Sequence, residues 1–435
     1  MSEDILLDYT IDQPFVPDSN TETALKMLLK VNASNALRAS SAETANSHLV
    51  LVLDVSSSMR SSEMRALKEA AKASLDYLSE GDLISVIAFQ SVVYKIITAE
   101  GISGGADTAR LKQRIDVIDQ YQGGGTNMEN AIEKADEALR STTSEGMAKK
   151  IVLFTDGQVT GFEDKCLQAA AKVSSSGVTI DALGFGPEFD YAFMQKLVSY
   201  SNGYTEKIDA ISEIAEVFSR RVQVLTNSIA VNCSLDLTFT PQVRAGRGYR
   251  FSPEMNYLGN IRLPGDVRTI TIPIGAIERD KEYGYLITCT VSKREAGNVR
   301  LAKAELHYDI PSLGIERATS TQSIIVAVTN DPTKFSQING EVERVFDEVE
   351  ISRLVAELDK ATKRQDHKRA SIFFDILSKR YEELGDPEMQ QHYVDLKSKY
   401  ASAGELSQDE MNYSRHKSTQ RRDTAVQLVD ASDLI

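Results

Sequence analysis

The sequence predicts an α/β chain in which a doubly wound, mostly parallel sheet is combined with an antiparallel β-sandwich and a C-terminal helical region. Three observations carry that prediction. Between residues 46 and 224, short apolar runs alternate with helix-period segments, the rhythm of a parallel sheet with helices on both faces. After Thr226 come β-rich segments separated by turns such as LPGD and REAGN, which read as an antiparallel sandwich. From Thr333 to about Ala403 the apolar period is helical again.

Taken in order, the segment TALKMLLKVNAS (Thr23 to Ser34) is ambiguous between strand and helix, and Pro14, Pro17 and the polar SNTET run before it favour a strand. We therefore expect residues 1–45 to contribute a strand to the sandwich, with the α/β domain of residues 46–224 inserted ahead of the remaining sandwich at 225–332. Within 46–224, His48 to Val55 is an apolar strand. Met64, Leu67, Ala71, Leu75 and Leu78 follow at helical spacing. LISVIAF (Leu83 to Phe89) and VVYKII (Val92 to Ile97) are short strands, then helices are expected at Asp107 to Ile118 and Met128 to Arg140. The strand IVLF (Ile151 to Phe154), a helix near Asp164 to Ser175, the strand VTIDALGF (Val178 to Phe185) and helices around Tyr191 to Tyr200 and Ile211 to Thr226 close the region. In residues 333–403, Val342, Val345, Val349, Leu354 and Leu358 mark one amphipathic helix. Ile372, Ile376, Leu377 and Tyr381 mark a second, and Asp386-Pro387 starts a third, giving a hairpin or bundle. Residues 404–435, rich in Ser, Thr, Asp, Gln and Arg, read as a flexible tail.

Bulk composition excludes several function classes. At 435 residues the chain exceeds one ordinary core, and 42% hydrophobic with 26% charged residues is the balance of a globular protein. No apolar run reaches about 18 residues, so no membrane span is expected. The acidic N-terminus lacks the basic region and apolar core of a secretory signal, and the three scattered cysteines argue against a disulfide framework, so a cytoplasmic location is expected. A formal charge of −14 disfavours nonspecific binding to nucleic acid or to anionic lipid.

Three loops at the carboxyl ends of predicted strands carry matching chemistry, and that is where parallel α/β sheets bind ligands. Asp54-Val55-Ser56-Ser57-Ser58 follows the first α/β strand, Gly123-Gly124-Gly125-Thr126-Asn127 leads into a helix, and Thr155-Asp156-Gly157 follows IVLF. Asp54, Ser56, Ser58, Thr126 and Asp156 are hard oxygen donors, suited to Mg²⁺ or Mn²⁺ rather than to a soft metal. In DxSxS, alternate residues can face one side while Val55 and Ser57 face elsewhere. Each piece alone has an ordinary reading: a strand end with Ser58 or Ser61 as helix cap, a flexible glycine loop, a common turn. Their joint occurrence points to a metal site.

The ordered set DxSxS, GGGT and TDG resembles the metal-ion-dependent adhesion site of the von Willebrand factor A-type (VWA) domain family, over roughly residues 46 to 224. The resemblance implies a Rossmann-like sheet and a Mg²⁺ (or Mn²⁺) ion. Ser56 and Ser58 would ligate directly, Thr126 directly in the ligand-bound state, and Asp54 and Asp156 directly or through water. It further implies that an Asp or Glu of a partner protein fills the open position. Because only two protein carboxylates offset the dication, an acidic protein can still attract an acidic partner there. The overall layout is similar to bacterial cytoplasmic A-domain proteins, which often work beside AAA+ ATPases or in Ser/Thr kinase networks, so an adaptor or scaffold with such a partner is expected.

Enzymatic motifs are missing. The five histidines have no zinc-site spacing, GGGTN lacks the ending of a P-loop, GFGPEF lacks a dinucleotide fingerprint, and there is no nucleophile elbow. No catalytic residue is assigned, and a non-enzyme is expected; a metal-dependent hydrolase using the same five residues is the rival reading. In the tail, Thr424 after Arg421 and Arg422 resembles a basophilic kinase site, with Thr419 nearby.

Overall fold

A computed structural model of the chain describes residues 4–419 apart from 19–20, 40–43, 142–145, 157–161, 187, 202, 209, 262, 264 and 293–294. The N-terminal strands β1 (Ile5–Ile11), β2 (Phe15–Pro17) and β3 (Thr23–Ala33) precede the short helix α1 (Asn35–Ala39). The α/β region then runs β4 (Ser47–Asp54), α2 (Ser61–Ser74), β5 (Leu83–Phe89), β6 (Val93–Gly101), α3 (Gly105–Ile115) and α4 (Met128–Arg140). It continues through β7 (Ala148–Thr155), α5 (Glu163–Ser174), β8 (Thr179–Phe185), α6 (Tyr191–Ser199), β9 (Thr205–Ile208) and α7 (Ile214–Thr226).

These strands form one sheet in the order β6-β5-β4-β7-β8-β9, parallel except for the β5–β6 pair. β4 is central and buried along its whole length. Its alternation explains the double winding: Leu49, Leu51 and Leu53 join the core with α2, α3 and α7, while Val50 and Val52 join the opposite core with α4, α5 and α6. A strand buried on both faces can carry polar side chains only at its ends or with partners in place, and this one ends in Asp54.

Strands β10 (Ser228–Phe239), β11 (Val243–Ser252), β12 (Asn256–Asn260), β13 (Thr269–Glu278), β14 (Tyr283–Val291), β15 (Gly297–Ile310) and β16 (Ile315–Thr329) complete two five-stranded sheets, β1-β3-β14-β11-β12 and β13-β10-β15-β16-β2. They share one apolar core. The N-terminal segment supplies three strands, not one, and feeds both sheets; β2 pairs in parallel with β16, the exception to antiparallel pairing. Thr23–Ala33 is a strand because its buried positions alternate along most of its length and it lies between β1 and β14.

The helices α8 (Gly340–Lys363), α9 (His367–Glu383), α10 (Pro387–Ala403) and α11 (Gln408–Thr419) follow. Asp386 caps α10 by accepting from the Met389 amide. On α9 the buried face is Ala370, Phe374, Leu377 and Tyr381, whereas Ile372 and Ile376, expected to face the core, are exposed.

The largest correction concerns the expected flexible tail from residue 404. Gln408–Thr419 is a helix with Asn412, Ser414, Arg415 and Thr419 buried. Arg415 pairs with Asp359 of α8 at 2.5 Å, both side chains being buried. Asn412 donates to the Phe189 carbonyl at 3.1 Å, and the Thr419 carbonyl accepts from the Met255 amide at 3.1 Å. Thr419 is thus no exposed phosphoacceptor, and Thr424 lies outside the described residues. Among the described residues, no helix is long and apolar enough to cross a membrane.

Candidate metal centre

β4 delivers Asp54 to the carboxyl edge of the sheet beside Phe89 of β5 and next to Thr155 at the end of β7. Its carboxylate is fully buried and held at both oxygens. Oδ1 accepts from the Ser56 amide at 2.8 Å, and Oδ2 accepts from the Thr155 hydroxyl at 2.6 Å. Burial pushes the Asp54 carboxyl up to about 6, with the nearby Asp156 charge adding to the rise. Burial likewise raises Asp156, and the charge of Glu63 reinforces it.

From Asp54 the polar chain continues without a break. Ser56 Oγ lies 3.0 Å from Ser58 Oγ, and Ser58 Oγ donates to Asp156 Oδ1 at 2.9 Å. The loops after β4 and β7 thus bring Asp54, Ser56, Ser58 and Asp156 together. Ser57 is the odd member: exposed like Ser58, it turns away from that row and donates through both its hydroxyl (3.0 Å) and its amide (3.3 Å) to the Gly124 carbonyl.

That contact ties the glycine loop to the first loop. The Gly123 amide donates to the Val55 carbonyl at 3.0 Å, the Gly125 amide to Ser91 Oγ at 2.7 Å, and the Asn127 amide to the Gln90 carbonyl at 2.9 Å. Asn127 then caps α4 by accepting from Asn130. Half-buried Thr126 sits between these last two anchored amides. Gly124 has φ +62°, and a Cβ there would come within 2.1 Å of Gln90 Oε1, so this turn needs glycine.

The donor set fits a hard dication. Ligands 2.0–2.1 Å from one centre stand about 2.9 Å apart along an octahedral edge, and the Ser56–Ser58 and Ser58–Asp156 separations of 3.0 and 2.9 Å are of that size. Two buried carboxylates, both raised chiefly by loss of solvent, are charged forms that a cation would stabilise. Among the described residues no group of three or more His, Cys, Asp or Glu is placed to hold a metal, so a soft or carboxylate-rich site has no support. All three cysteines are buried and their thiols raised by burial, consistent with packing roles.

Two neighbours escaped the sequence reading. Thr155, read only as part of a turn, orients Asp54. Buried Glu63 closes the start of α2 by accepting from the Arg60 amide at 2.9 Å, and it faces Asp156 electrostatically. The i, i+3 spacing of Arg60 and Glu63 ahead of an apolar-periodic helix was the available signal.

Comparison with known proteins identifies the α/β region. Residues 48–220 match the family described as von Willebrand factor type A domain. An uncharacterised protein of Synechocystis sp. (sll0103) is 27% identical over 272 residues, covering 61% of this chain and 62% of that protein. Inter-alpha-trypsin inhibitor heavy chain H2 of Mus musculus is 26% identical over 198 residues, 42% of this chain and 21% of its own. This chain therefore spans less than two thirds of either relative. Among solved structures, a von Willebrand factor type A protein from Catenulispora acidiphila superposes with a TM-score of 0.77 at 19% identity, over 96% of this chain and 97% of that one. The ArnB paralog VWA2 from Sulfolobus acidocaldarius gives 0.59 at 15% identity, over 96% and 98%. At these identities the two structures speak to fold alone, and they do so along nearly the whole chain.

Proposed function

Residues 48–220 form a von Willebrand factor type A domain, and from that premise we propose that the chain is a metal-dependent protein-interaction module and not an enzyme. Domains of this family commonly mediate protein interactions and often bind a divalent metal. In this reading Ser56, Ser58, Thr126, Asp54 and Asp156 hold Mg²⁺ (or Mn²⁺), directly or through water. The ion supplies a positive centre that a partner's Asp or Glu carboxylate can complete. The chain's own residues do the rest: Thr155 fixes the rotamer of Asp54, the Ser57–Gly124 contact fixes the loop of Thr126, and the buried strand ends keep the donors in place. The observation that carries the proposal is the gathering of Asp54, Ser56, Ser58 and Asp156, joined by the Ser56 amide to the Asp54 carboxylate, by the Ser56 and Ser58 hydroxyls to each other, and by the Ser58 hydroxyl to Asp156. The two platforms around it, sandwich and helices, suit a cytoplasmic adaptor, with an AAA+ ATPase or a kinase-linked protein as the class of partner.

The test is calorimetric titration of Mg²⁺ and Mn²⁺ into the chain, alone and with an Asp-containing peptide. Saturable binding that Asp54→Ala removes is the expected result. Metal-dependent turnover of a phosphoester by the purified chain, lost in the same variant, would replace the binding reading with the hydrolase; absence of any metal binding would refute both.

A further inference from the structure

Strand β9 is an outer strand of the α/β sheet, and two pieces of chain from elsewhere come up against it. One is the turn between β11 and β12, which carries Pro253 and Glu254; the other is the end of α11. The Met255 amide joins these two pieces by donating to the Thr419 carbonyl at 3.1 Å. Between them, β9 and α7 lies a cavity of about 340 Å³, where the α/β sheet, the sandwich and the C-terminal helices meet. Small-molecule sites favour such junctions.

The buried polar groups lining this cavity are not all satisfied. Arg221 of α7 is 7% exposed. Its Nη2 donates to Glu206 at 2.6 Å and to Glu254 at 3.2 Å, and its guanidinium carbon lies 4.4 Å from the centre of the Tyr204 ring. Its Nε–H, by contrast, has no hydrogen-bond partner among the described residues. The hydroxyl of Thr205, another lining residue as deeply buried, is in the same condition. A guanidinium N–H only donates, so whatever completes it must accept, and a buried donor left unmatched is costly. The space is roughly ten times the share of liquid volume taken by one water, so a single bridging water does not fill it.

The surrounding charge narrows the kind of acceptor. Lys150 and Asp181 neutralise each other in a buried pair at 2.9 Å. That leaves Arg220, Arg221, Arg250 and Lys281 against Glu206, Glu254 and Glu278, one positive charge in excess. Burial raises the Glu254 and Glu278 carboxyls, which only enlarges the excess. A monoanion with accepting oxygens meets both needs.

We propose that this cavity binds a small monocarboxylate, its oxygens accepting from Arg221 and from the Thr205 hydroxyl, with Lys281 adding positive charge beside it. The site shares no residue with the candidate metal centre and stands independently of the metal-binding reading.

The experiment is a calorimetric titration of sodium acetate into the full chain in EDTA, with sodium chloride adjusted to hold the ionic strength constant. EDTA keeps the metal centre from contributing a second carboxylate site. Saturable binding of one acetate per chain is expected, with inorganic phosphate binding more weakly. Thr205→Val keeps the shape of the side chain and removes a hydroxyl that has no partner among the described residues. Unfolding of the acetate-free protein should therefore be unchanged, while acetate affinity falls about tenfold or more, the loss of one hydrogen bond to a charged group. Lys281→Gln, at an exposed position, should lower affinity about twofold to fivefold, and it decides alone if Thr205→Val does not fold. Absence of saturable acetate binding overturns the proposal, and so does an affinity unchanged in either folded variant. Phosphate binding tighter than acetate would make the cavity a dianion site and overturn the monocarboxylate.

Discussion

Strand β4 carries a buried ionisable residue near each end, and the two behave in opposite ways. At the amino end His48 is fully buried, its Nε2 lies 3.0 Å from Ser85 Oγ, and Nδ1 has no hydrogen-bond partner among the described residues. Burial, with Lys149 nearby, pushes its imidazole down to about 4. At the carboxyl end Asp54 is equally buried and is pushed up to about 6. Desolvation drives both toward neutrality, so burial alone does not tell a functional group from a structural one. The neighbours do. His48 has one hydroxyl beside it and a closed sheet around it. Asp54 stands in a polar cluster with a second carboxylate at its far end, at the edge where loops leave the sheet.

The comparison is broken most directly at the carboxyl end. Asp54→Asn keeps the size of the side chain and removes one negative charge from the centre. In wild type, Mg²⁺ at a hundred times its dissociation constant should raise stability by about 2.7 kcal/mol through mass action. The variant should lose this gain entirely, while its stability without metal should not fall. Thermal unfolding with Mg²⁺ and with EDTA reads both. A metal-dependent gain that persists in the variant would detach Asp54 from the centre.

At the amino end the effect should be one of pH and not of metal. A histidine of ordinary value near 6.5 that sits at about 4 when folded binds its proton mainly in the unfolded chain between those limits. Stability from this group is therefore present above pH 6.5 and is lost as pH falls toward 4, by up to about 3 kcal/mol. His48→Leu should remove that slope, measured by urea unfolding at pH 7.5 and pH 5 in EDTA. If the slope is unchanged in the variant, His48 is not the group that titrates.

Gly124→Ala probes what holds the third loop. A φ of +62° with a Cβ forced against Gln90 should cost about 1–2 kcal/mol. If the loop moves to relieve it, Mg²⁺ affinity should fall by a comparable factor. An unchanged Mg²⁺ isotherm would mean that Thr126 does not share the centre.

What the sequence made legible follows the same physics. The β4 run LVLVL ends so sharply in DVSSS that both the central strand and its oxygens could be read, because apolar period and polar stop lie side by side. The tandem walls of the sheet could be read for the same reason. Helix α11 could not. Of its buried residues only Met411 is apolar, and it is held by an ion pair and hydrogen bonds to elements far away in sequence, a form of stabilisation that leaves no periodic signal. The face of α9 was misread because Ile372 and Ile376 look like core residues, yet the helix turns Ala370 and Phe374 inward instead. Thr155 looked like one letter of a turn until the parallel register of β4 and β7 set it beside Asp54.

Ser57 offers the finest division within the motif itself. Ser56 and Ser58 lie in the oxygen row, and Ser57 between them points to the Gly124 carbonyl. Truncating an exposed hydroxyl that makes one hydrogen bond should cost about 0.5–1 kcal/mol of loop stability, since the Ser57 amide still reaches the same carbonyl. Ser57→Ala should therefore weaken Mg²⁺ binding no more than a few fold, by loosening the loop that carries Thr126. Ser56→Ala should weaken it far more, because it removes an oxygen from the row. Parallel calorimetric titrations decide the matter. Equal losses in the two variants would mean that the alternation of DVSSS does not sort its serines into ligands and supports, and the centre would have to be built from a different set of oxygens.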